Sequence, residues 1–284
     1  MKPSRVGLFL FAMSLLFLLS GCGALKLGVM KHAGPIAASQ WRLYEIVGIV
    51  LVFVAGPVLL LTPLIAWHYR LSNKHSAFRP KWDFSWPLEG LIWLPPTGIV
   101  IGLSFLVWSY THTLDPYRPL ATGLPALEVQ AVAFDWKWLF IYPEERIATV
   151  NLLVMPVGRP VHISLTSGTV MQSFMIPQLA GQIYAMAGMT TQLNLAASRP
   201  GVFRGENTQF NGTGFQNEKF NAVALPPADY DRWVAQAQAS GHPLDAAAYA
   251  GLFKKSSPPQ PILFSSVPAG LFQRILAQST EARR

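Results

Sequence analysis

Apolar residues are distributed along the chain in two contrasting patterns that meet near Tyr110. Before that point they form dense blocks, and the uncharged runs 46–67 and 90–110 each match the roughly 20-residue helix that crosses a bilayer. A segment in lipid must satisfy its own backbone hydrogen bonds, so both runs are predicted to be membrane-spanning helices. After Tyr110 the apolar residues occur in short runs broken by Pro and Gly, which predicts β-structure.

The second half is typical of an all-β sandwich or barrel, because no helical pattern separates its short strands. In VHISLT, Val161, Ile163 and Leu165 alternate with polar positions, which places His162 on the solvent side rather than in a ligand set. Strands are predicted over residues 127–141, 148–155, 160–167, 182–184 and 190–196. Short helices are then predicted over residues 229–239, 245–253 and 269–277.

Composition and charge indicate where the two halves of the chain lie relative to a membrane. Hydrophobic residues make up 51% of the chain and charged residues only 13%, with a mean hydropathy of +0.31, which indicates a membrane protein. The loop between the predicted spans carries Arg70, Lys74, Arg79 and Lys81 against a single acid, Asp83. By the positive-inside rule this loop is cytoplasmic, so the β-rich half is expected on the opposite side of the membrane.

The N-terminus has the parts of a bacterial secretory signal. Lys2 and Arg5 precede an apolar run over residues 6–19, and small residues follow. The sequence LSGC that ends at Cys22 resembles a lipobox, in which cleavage falls before the cysteine and the new N-terminus is acylated. Cys22 is therefore predicted to carry lipid. It is the only cysteine in the sequence, so no disulfide can form within the chain.

Few residues are candidates for chemistry. The six histidines are scattered without metal-ligand spacing, so neither a zinc site nor a Ser-His-Asp set is predicted. A methionine-rich stretch contains Met171, Met175, Met186 and Met189, but without His or Cys among them packing is favoured over Cu(I) binding. Glu89, at the cytoplasmic mouth of the second span, either caps a helix N-terminus or belongs to a proton-entry path.

Several long motifs occur in one order along the chain. They are the lipobox, the two spans, FDWKWLFIYPE, IATVN and SGTVMQSFMIPQLAGQIYAMAGM. Together they resemble subunit II of the haem-copper quinol oxidases, across nearly the whole chain from Cys22. Relatives of that subunit in the cytochrome c oxidases carry a binuclear copper centre. Its ligand motif has a His before Ser-Phe, two Cys flanking a Glu, then a His and a Met.

Every ligand side chain of that motif is replaced in this sequence. The corresponding positions are Gln172 and Phe215 for the two His, Asn207 and Asn211 for the two Cys, Gln209 for the Glu and Glu218 for the Met. A copper pair cannot be assembled from amides, a phenyl ring and one carboxylate, because soft metal ions need soft ligands. The domain is therefore predicted to hold no metal.

The resemblance implies an α+β membrane protein, in which a two-helix transmembrane hairpin precedes a copper-free cupredoxin-like β-sandwich and short C-terminal helices. The expected segments are a signal peptide (1–21), a lipidated N-terminal segment (22–42), membrane helices (43–67 and 88–110) joined by a cytoplasmic loop (68–87), a periplasmic cupredoxin-like domain (111–226) and a helical extension (227–284).

The implied function belongs to a complex in the bacterial inner membrane that oxidises quinol, reduces oxygen to water and moves protons. The haems, one copper and the quinol site are expected in subunit I, and no cofactor is expected in this chain. Subunits I, III and IV and membrane lipid are the expected partners, and nucleic acid is not. Residues 111–284 hold 13 basic and 11 acidic side chains, a net charge of +2. They lack the acidic excess that would attract a basic cytochrome c.

Three further points follow from the resemblance. Trp136 and Trp138 fall in the aromatic stretch that lies on the electron route of the cytochrome c enzymes, and here they are predicted to serve packing. Subunits II tend to carry an acid at the position of Glu89, which strengthens the proton-path interpretation and leaves the helix cap open. A rival hypothesis is a free-standing lipoprotein that binds a ligand or delivers copper. It would need Met, His or acidic residues clustered at one end of the sandwich.

Overall fold

The computed structural model describes residues 28–74 and 81–281, so the predicted signal peptide and the lipidation of Cys22 lie outside the described residues. Two compact units divide the chain. One contains residues 28–40 and 116–281, and the other contains residues 41–115.

Two long helices dominate the second unit. Helix α1 (Pro35–His68), whose first turns belong to the other unit, and helix α2 (Trp86–Thr113) are both long and apolar enough to cross a membrane. Both helices continue through the prolines in their interiors, at positions 57, 63, 95 and 96. Their side chains are largely exposed within this chain, as Leu59 and Phe105 illustrate, so lipid or another protein must cover them.

The first unit is a two-sheet β-sandwich. Its strands are β1 (Leu127–Phe134), β2 (Lys137–Tyr142), β3 (Ile147–Val150), β4 (Leu152–Pro156), β5 (Val161–Ser167), β6 (Gln172–Ile176), β7 (Ala180–Ala185), β8 (Thr191–Leu195), β9 (Gly201–Asn207), β10 (Lys219–Leu225) and β11 (Ile262–Phe264). One sheet has the order β11-β3-β2-β1-β5-β8 and the other has the order β4-β10-β9-β6-β7. The pairs β1/β5 and β4/β10 are parallel, and the remaining pairs are antiparallel.

The fold class is confirmed, whereas two strand predictions were wrong. The predicted strand 127–141 is a hairpin that turns at Trp136, which adopts a positive φ of 67°. The predicted strand 148–155 breaks at Asn151, also at positive φ, and its two halves join different sheets. Asn151 tolerates this conformation because its side-chain oxygen accepts a hydrogen bond of 2.9 Å from the backbone of Trp138. Strands β6, β9, β10 and β11 were missed.

Aromatic side chains fill the space between the sheets. Trp138 and Phe140 from the first sheet meet Phe174 and Phe220 from the second, with ring centroids 5.0 to 6.2 Å apart. The hydroxyl of Tyr142 also joins the sheets, because it donates to the Val154 carbonyl (2.9 Å) and accepts from the Val154 N–H (2.7 Å). The sandwich therefore has an aromatic core, and the Tyr142 hydroxyl bridges the two sheets by hydrogen bonds.

A helical extension follows the sandwich, and its second and third helices pack on the outer face of the first sheet. It comprises α3 (Pro227–Gln238), α4 (Ala246–Leu252) and α5 (Leu271–Glu281), as predicted to within a few residues. Leu252, Phe272 and Ile275 pack against the outward side chains of the sheet, Val132 and Ile141 among them. With both faces covered, strands β2 and β3 are buried throughout, which explains why KWLFIY and IATV lack a clear alternation.

The residues before the first membrane helix also pack on the sandwich. The N–H of Ala33 donates to the Gln178 carbonyl, and the Ala33 carbonyl accepts from the N–H of Ser198, both at 2.7 Å. At Gly34 a β-carbon would lie 2.3 Å from the carbonyl oxygen of Ala196, so only glycine fits this close backbone approach. Residues 28–40 are thus an integral part of the sandwich unit.

Candidate functional site

The six predicted ligand positions lie at one end of the second sheet. Gln172 begins β6, Asn207 ends β9 and Glu218 immediately precedes β10. Strand β9 runs antiparallel to both of its neighbours, β6 and β10. The end of β9 therefore lies beside the starts of β6 and β10, and the three positions meet at the same end of the sheet. Gln209, Asn211 and Phe215 lie in the loop that connects β9 to β10. We call this end of the sandwich the ligand-position end.

Asn207 organises the hydrogen bonds at this end. Its side-chain oxygen accepts from the N–H groups of Ser173 and Gln209, both at 2.9 Å. Its amide nitrogen donates to Oε2 of Glu218 at 3.0 Å, and the amide nitrogen of Asn211 donates to the same oxygen at 2.6 Å. Asn207 and Asn211, predicted above to replace the two thiolates, therefore form a hydrogen-bonded unit with Glu218, predicted to replace the thioether.

Glu218 is a buried carboxyl whose two oxygens differ in their hydrogen-bond partners. Its side chain is only 1% exposed, Oε2 accepts two hydrogen bonds, and Oε1 has no partner among the described residues. Burial raises the pKa of Glu218 to about 7, against the opposing effect of the two amide donors. Asp135 raises this pKa further and Lys137 lowers it. The carboxyl is thus poised to exchange a proton near neutrality.

Lys137 is a buried cation whose charge acts on Glu218, and it was missed by the sequence analysis. Its ammonium donates to the carbonyls of Asp135 (3.2 Å), Leu252 (3.1 Å) and Lys254 (2.6 Å), and its side chain is 2% exposed. Burial lowers the pKa of Lys137, while Asp135 and Glu218 oppose that shift. A lysine that opens the otherwise apolar strand KWLFIY was the signal that could have identified it.

The other three predicted positions contribute to the contacts at this end of the sandwich to different degrees. Gln172 is fully buried and donates to the Phe134 carbonyl at 3.0 Å, while its side-chain oxygen has no partner among the described residues. Gln209 enters the network through its backbone N–H. The ring of Phe215 packs against Phe210, with centroids 5.7 Å apart. All six positions are therefore close in the fold, but Asn207, Asn211 and Glu218 form the bonded centre.

The donor set does not fit a binuclear copper centre. The sequence has no cysteine after Cys22, so no thiolate is available in the sandwich. Within residues 28–74 and 81–281, no group of three or more His, Cys, Asp or Glu side chains is arranged to hold a metal ion. The residues present supply amide oxygens and nitrogens, a phenyl ring and one carboxylate, none of which is a soft ligand.

Trp136 and Trp138 occupy different environments. Trp138 is fully buried in the aromatic core. Trp136 lies over the β9–β10 loop, where its indole N–H points to the Asn211 carbonyl at 3.4 Å. A β-carbon at Gly214 would lie 2.1 Å from the Trp136 ring, so the ring is in close contact with the loop backbone. Trp136 thereby helps to hold the loop that carries Asn211.

Two further predicted features lie elsewhere in the described chain. Glu89 is in the first turn of α2, and its Oε2 accepts a hydrogen bond of 3.0 Å from the indole N–H of Trp93. The predicted packing role of the methionines was wrong for Met171 and Met189, which are 42% and 50% exposed. Met171 directly precedes β6 and Met189 lies between β7 and β8, and both side chains are at the surface of the sandwich. His162 is half-buried, with Nδ1 at 3.0 Å from Asn194 Oδ1.

Fold and site together define a class of protein: a cupredoxin-type sandwich on an apolar two-helix anchor, with amides and one carboxyl at the positions that the sequence resemblance predicts to correspond to copper ligands. Residues 142–220 match the family model described as cytochrome c oxidase subunit II, periplasmic domain, and residues 238–281 match the COX aromatic rich motif.

Curated relatives narrow this class. The cytochrome bo(3) ubiquinol oxidase subunit 2 of Pseudomonas putida is 42% identical over 92% of this chain and 82% of its own length. The ubiquinol oxidase subunit 2 of Acetobacter aceti is 40% identical over 98% of this chain and 88% of its own length. The quinol oxidase subunit 2 of Bacillus cereus is 34% identical over 86% and 84%. The chain belongs to the ubiquinol oxidase subunit 2 family and is a membrane-anchored subunit of an oxidase complex.

Proposed function

We propose that this chain is a structural subunit of a proton-moving quinol oxidase and carries none of its redox centres. The observation that supports this most directly is the bonded unit of Asn207, Asn211 and Glu218 at the ligand-position end. Side chains that hydrogen-bond to one another, with no thiolate or imidazole among them, have no means of holding a copper pair. The haems and one copper are then carried by subunit I, where quinol is oxidised and oxygen is reduced.

The membrane helices support a packing role. Apolar side chains along α1 and α2 are exposed in the isolated chain, and prolines interrupt the hydrogen-bond ladder of each helix. In a bilayer the freed carbonyls need neighbouring helices or ordered waters. We propose that α1 and α2 pack against subunit I in the inner membrane, with residues 68–87 on the cytoplasmic side, the sandwich on the periplasmic side, and subunits III and IV in the same assembly. The segment bounds given above are part of this proposal.

The ligand-position end also presents apolar side chains to its surroundings. Val170, Met171, Met189 and Phe210 are exposed there, and Phe210 is exposed over 72% of its surface. Val170 and Met171 directly precede β6, and Phe210 follows β9. Because the start of β6 lies beside the end of β9, the topology places these residues at the same end of the sheet. Contiguous apolar surface on a soluble domain marks an interaction site. We propose that another oxidase subunit covers this apolar end face.

The proposed lipid at Cys22 and the proposed proton entry at Glu89 complete the assignment. In this proposal the chain is anchored in the membrane, covers the outer face of subunit I and helps to form a proton entrance, and it transfers no electrons. The rival function, a free-standing lipoprotein that binds a ligand or copper, is not favoured, since the family consists of oxidase subunits. The cluster of asparagines and one carboxyl also lacks the soft ligands that a copper carrier needs.

Purification through a tag on this chain tests the proposal. Haem-bearing partner subunits should co-purify from membranes. The full-length chain, separated from them in detergent and exposed to Cu(II) under reducing conditions, should retain no stoichiometric copper. A mixed-valence binuclear copper spectrum from the separated chain would overturn the proposal, and so would its isolation from membranes without any haem protein.

Variants of the end face sharpen this test. Phe210→Ser should weaken co-purification of the partner subunits because it removes a large exposed apolar contact. Val202→Ser is the matched control, since Val202 is also exposed but lies at the other end of β9. Equal recovery of partners with both variants would contradict the proposed docking face.

A further inference from the structure

A surface pocket of about 280 Å³ lies between strands β9 and β10 and the segment 258–261 of the helical extension. Two cationic residues, Arg204 and Lys219, and three residues with side-chain amides line it, whereas no acidic residue of the described chain does. Pockets for drug-sized ligands enclose about 300 to 1,000 Å³, so this pocket suits a smaller molecule. We call it the Arg204 pocket.

The strand register brings the charged side chains to one face of the second sheet. Arg204 on β9 lies opposite Asn221 on β10, and Lys219 is two positions before Asn221. Side chains two positions apart on a strand point to the same face, and opposite residues of an antiparallel pair have neighbouring side chains. Phe203 and Phe220, which alternate with these residues, are buried in the core. Arg204, Lys219 and Asn221 therefore stand together on the outer face of the sheet.

The other wall of the pocket is a stiff segment, because three of the four residues 258–261 are prolines. Proline fixes its own φ and has no N–H group. The segment is also held at both ends, since the Ser257 hydroxyl donates to the Asn217 carbonyl at 3.0 Å and Ile262 pairs with Val150 in the first sheet. The pocket is therefore formed before any ligand binds, which lowers the entropy cost of binding.

Asn151 is the most deeply buried polar residue that lines the pocket, with 7% of its surface exposed. Its N–H donates to the Trp138 carbonyl (2.8 Å), its carbonyl accepts from the Asn221 N–H (3.1 Å), and its Oδ1 accepts from the Trp138 N–H (2.9 Å). The side-chain nitrogen Nδ2 is thus the one polar group of Asn151 without a hydrogen-bond partner among the described residues. A buried N–H donor needs an acceptor, and an anion in the pocket would supply one.

One acid, Glu206, lies beside the two cations. Its Oε2 is 3.6 Å from Nε of Arg204, which is longer than a normal hydrogen bond, and Glu206 is opposite Lys219 in register. The side chains of Arg204 and Glu206 are 59% and 35% exposed, so water screens their attraction. The two terminal nitrogens of the guanidinium can therefore still donate to both oxygens of one carboxylate or phosphate.

We propose that the Arg204 pocket binds a small free oxyanion, either a phosphate ion or a short carboxylate. Arg204 binds two of its oxygens, Lys219 adds a second positive charge, and Nδ2 of Asn151 donates to it from the buried side of the pocket. The proline-rich segment limits the size of the anion. This inference goes beyond the proposed oxidase role and does not depend on it, because every contact lies within the sandwich unit.

Calorimetric titration with inorganic phosphate and with malonate tests this site. The titrations use the full-length chain in detergent, both assembled with its partner subunits and separated from them, and chloride keeps the ionic strength constant. We expect at least one of the two probes to bind both preparations at one anion per chain, with a Kd of about 1 mM or tighter. Arg204→Gln and Lys219→Gln should each weaken binding roughly tenfold, because each removes a charge-assisted hydrogen bond.

Two further variants show whether the pocket itself holds the anion. Asn151→Asp keeps the shape and the Oδ1 acceptor and tolerates the positive φ, but it places a carboxylate in the pocket and should abolish binding. Arg232→Gln removes an exposed cation of α3 and should bind as the wild type does. Because Arg204 is exposed, its variant decides the question even if Asn151→Asp fails to fold. Wild-type affinity in Arg204→Gln, or no binding of either probe, would overturn the proposal. So would binding by the separated chain alone, since an acidic side chain of a partner subunit would then fill the pocket.

Discussion

The side-chain amide of Asn207 donates a 3.0 Å hydrogen bond to the carboxyl of Glu218. In the copper-bearing relatives implied by the sequence, these two positions would hold a thiolate and a thioether. Here one residue has become the donor and the other the acceptor of a buried polar pair. The hydrogen bonds of Asn207 give partners to the Ser173 and Gln209 N–H groups as well as to the Glu218 carboxyl, and such groups need partners where they are buried.

We expect Asn207→Ala to destabilise the chain by about 2 to 4 kcal/mol, since three hydrogen bonds are lost and the N–H groups of buried Ser173 and partly buried Gln209 lose their acceptor. Denaturant unfolding of the full-length chain measures this free energy. Asn221→Ala is the matched control, because Asn221 is an exposed asparagine on the neighbouring strand and its removal should cost less than about 0.5 kcal/mol. Equal losses in the two variants would mean that Asn207 does not organise the site.

How far the sequence predicted the fold depended on how each segment is buried. Strand β5 was found because its alternation of Val161, Ile163 and Leu165 with half-buried positions reports one covered face. Strands β1 and β2 were merged because both faces are covered and the turn at Trp136 carries no Gly or Pro. A positive φ at tryptophan is stabilised by contact with Gly214, which lies far away in sequence.

The site was predicted as a set of positions and not as a set of interactions. The resemblance gave the six ligand positions, and the topology brings them together at one end. The roles of Lys137 and Ser173 could not be derived, because each depends on a contact with a residue at least 34 positions distant. The exposure of Met171 and Met189 was missed for a related reason. Composition indicates that a side chain is apolar, whereas only the packing decides whether it faces a core or a surface.

Gly34→Ala should loosen the segment that precedes the first membrane helix. The new β-carbon would lie 2.3 Å from the Ala196 carbonyl oxygen and 3.2 Å from that of Leu179, both backbone atoms that cannot move independently. We expect a loss of about 1 to 3 kcal/mol, and faster proteolysis near residue 33 of the full-length chain. Gly48→Ala, with no atom within 4 Å of the new β-carbon, is the control. Unchanged proteolysis in Gly34→Ala would show that the segment tolerates displacement.

Cys22→Ser should abolish lipid attachment and leave residues 1–21 uncut, if the lipobox is processed as proposed. The chain should still remain in the membrane fraction, because two spanning helices anchor far more strongly than acyl chains. Mass spectrometry of the N-terminus reads both outcomes in wild type and variant. A wild-type chain that begins at an unmodified Met1 would contradict the assignment of a lipoprotein signal.

Glu89→Gln separates the two interpretations of the acid at the start of α2. Glutamine keeps the shape and can still accept from the indole N–H of Trp93, while the charge is lost. If Glu89 admits protons, the complex should assemble normally and quinol-driven oxygen uptake per haem should fall. If it only caps the helix, the loss should be about 0.3 to 1 kcal/mol of local stability, with turnover unchanged.

The matched control for this experiment is Trp93→Phe, which removes the hydrogen bond to Glu89 and keeps the carboxylate. A slow Glu89→Gln enzyme beside a fast Trp93→Phe enzyme assigns the effect to the ionisable group. Equal slowing in both variants would instead implicate the geometry of the first turn. Wild-type rates for Glu89→Gln across the working pH range would exclude a required proton-carrying role, because a glutamine side chain cannot ionise as a carboxyl does and a relay through it would stop.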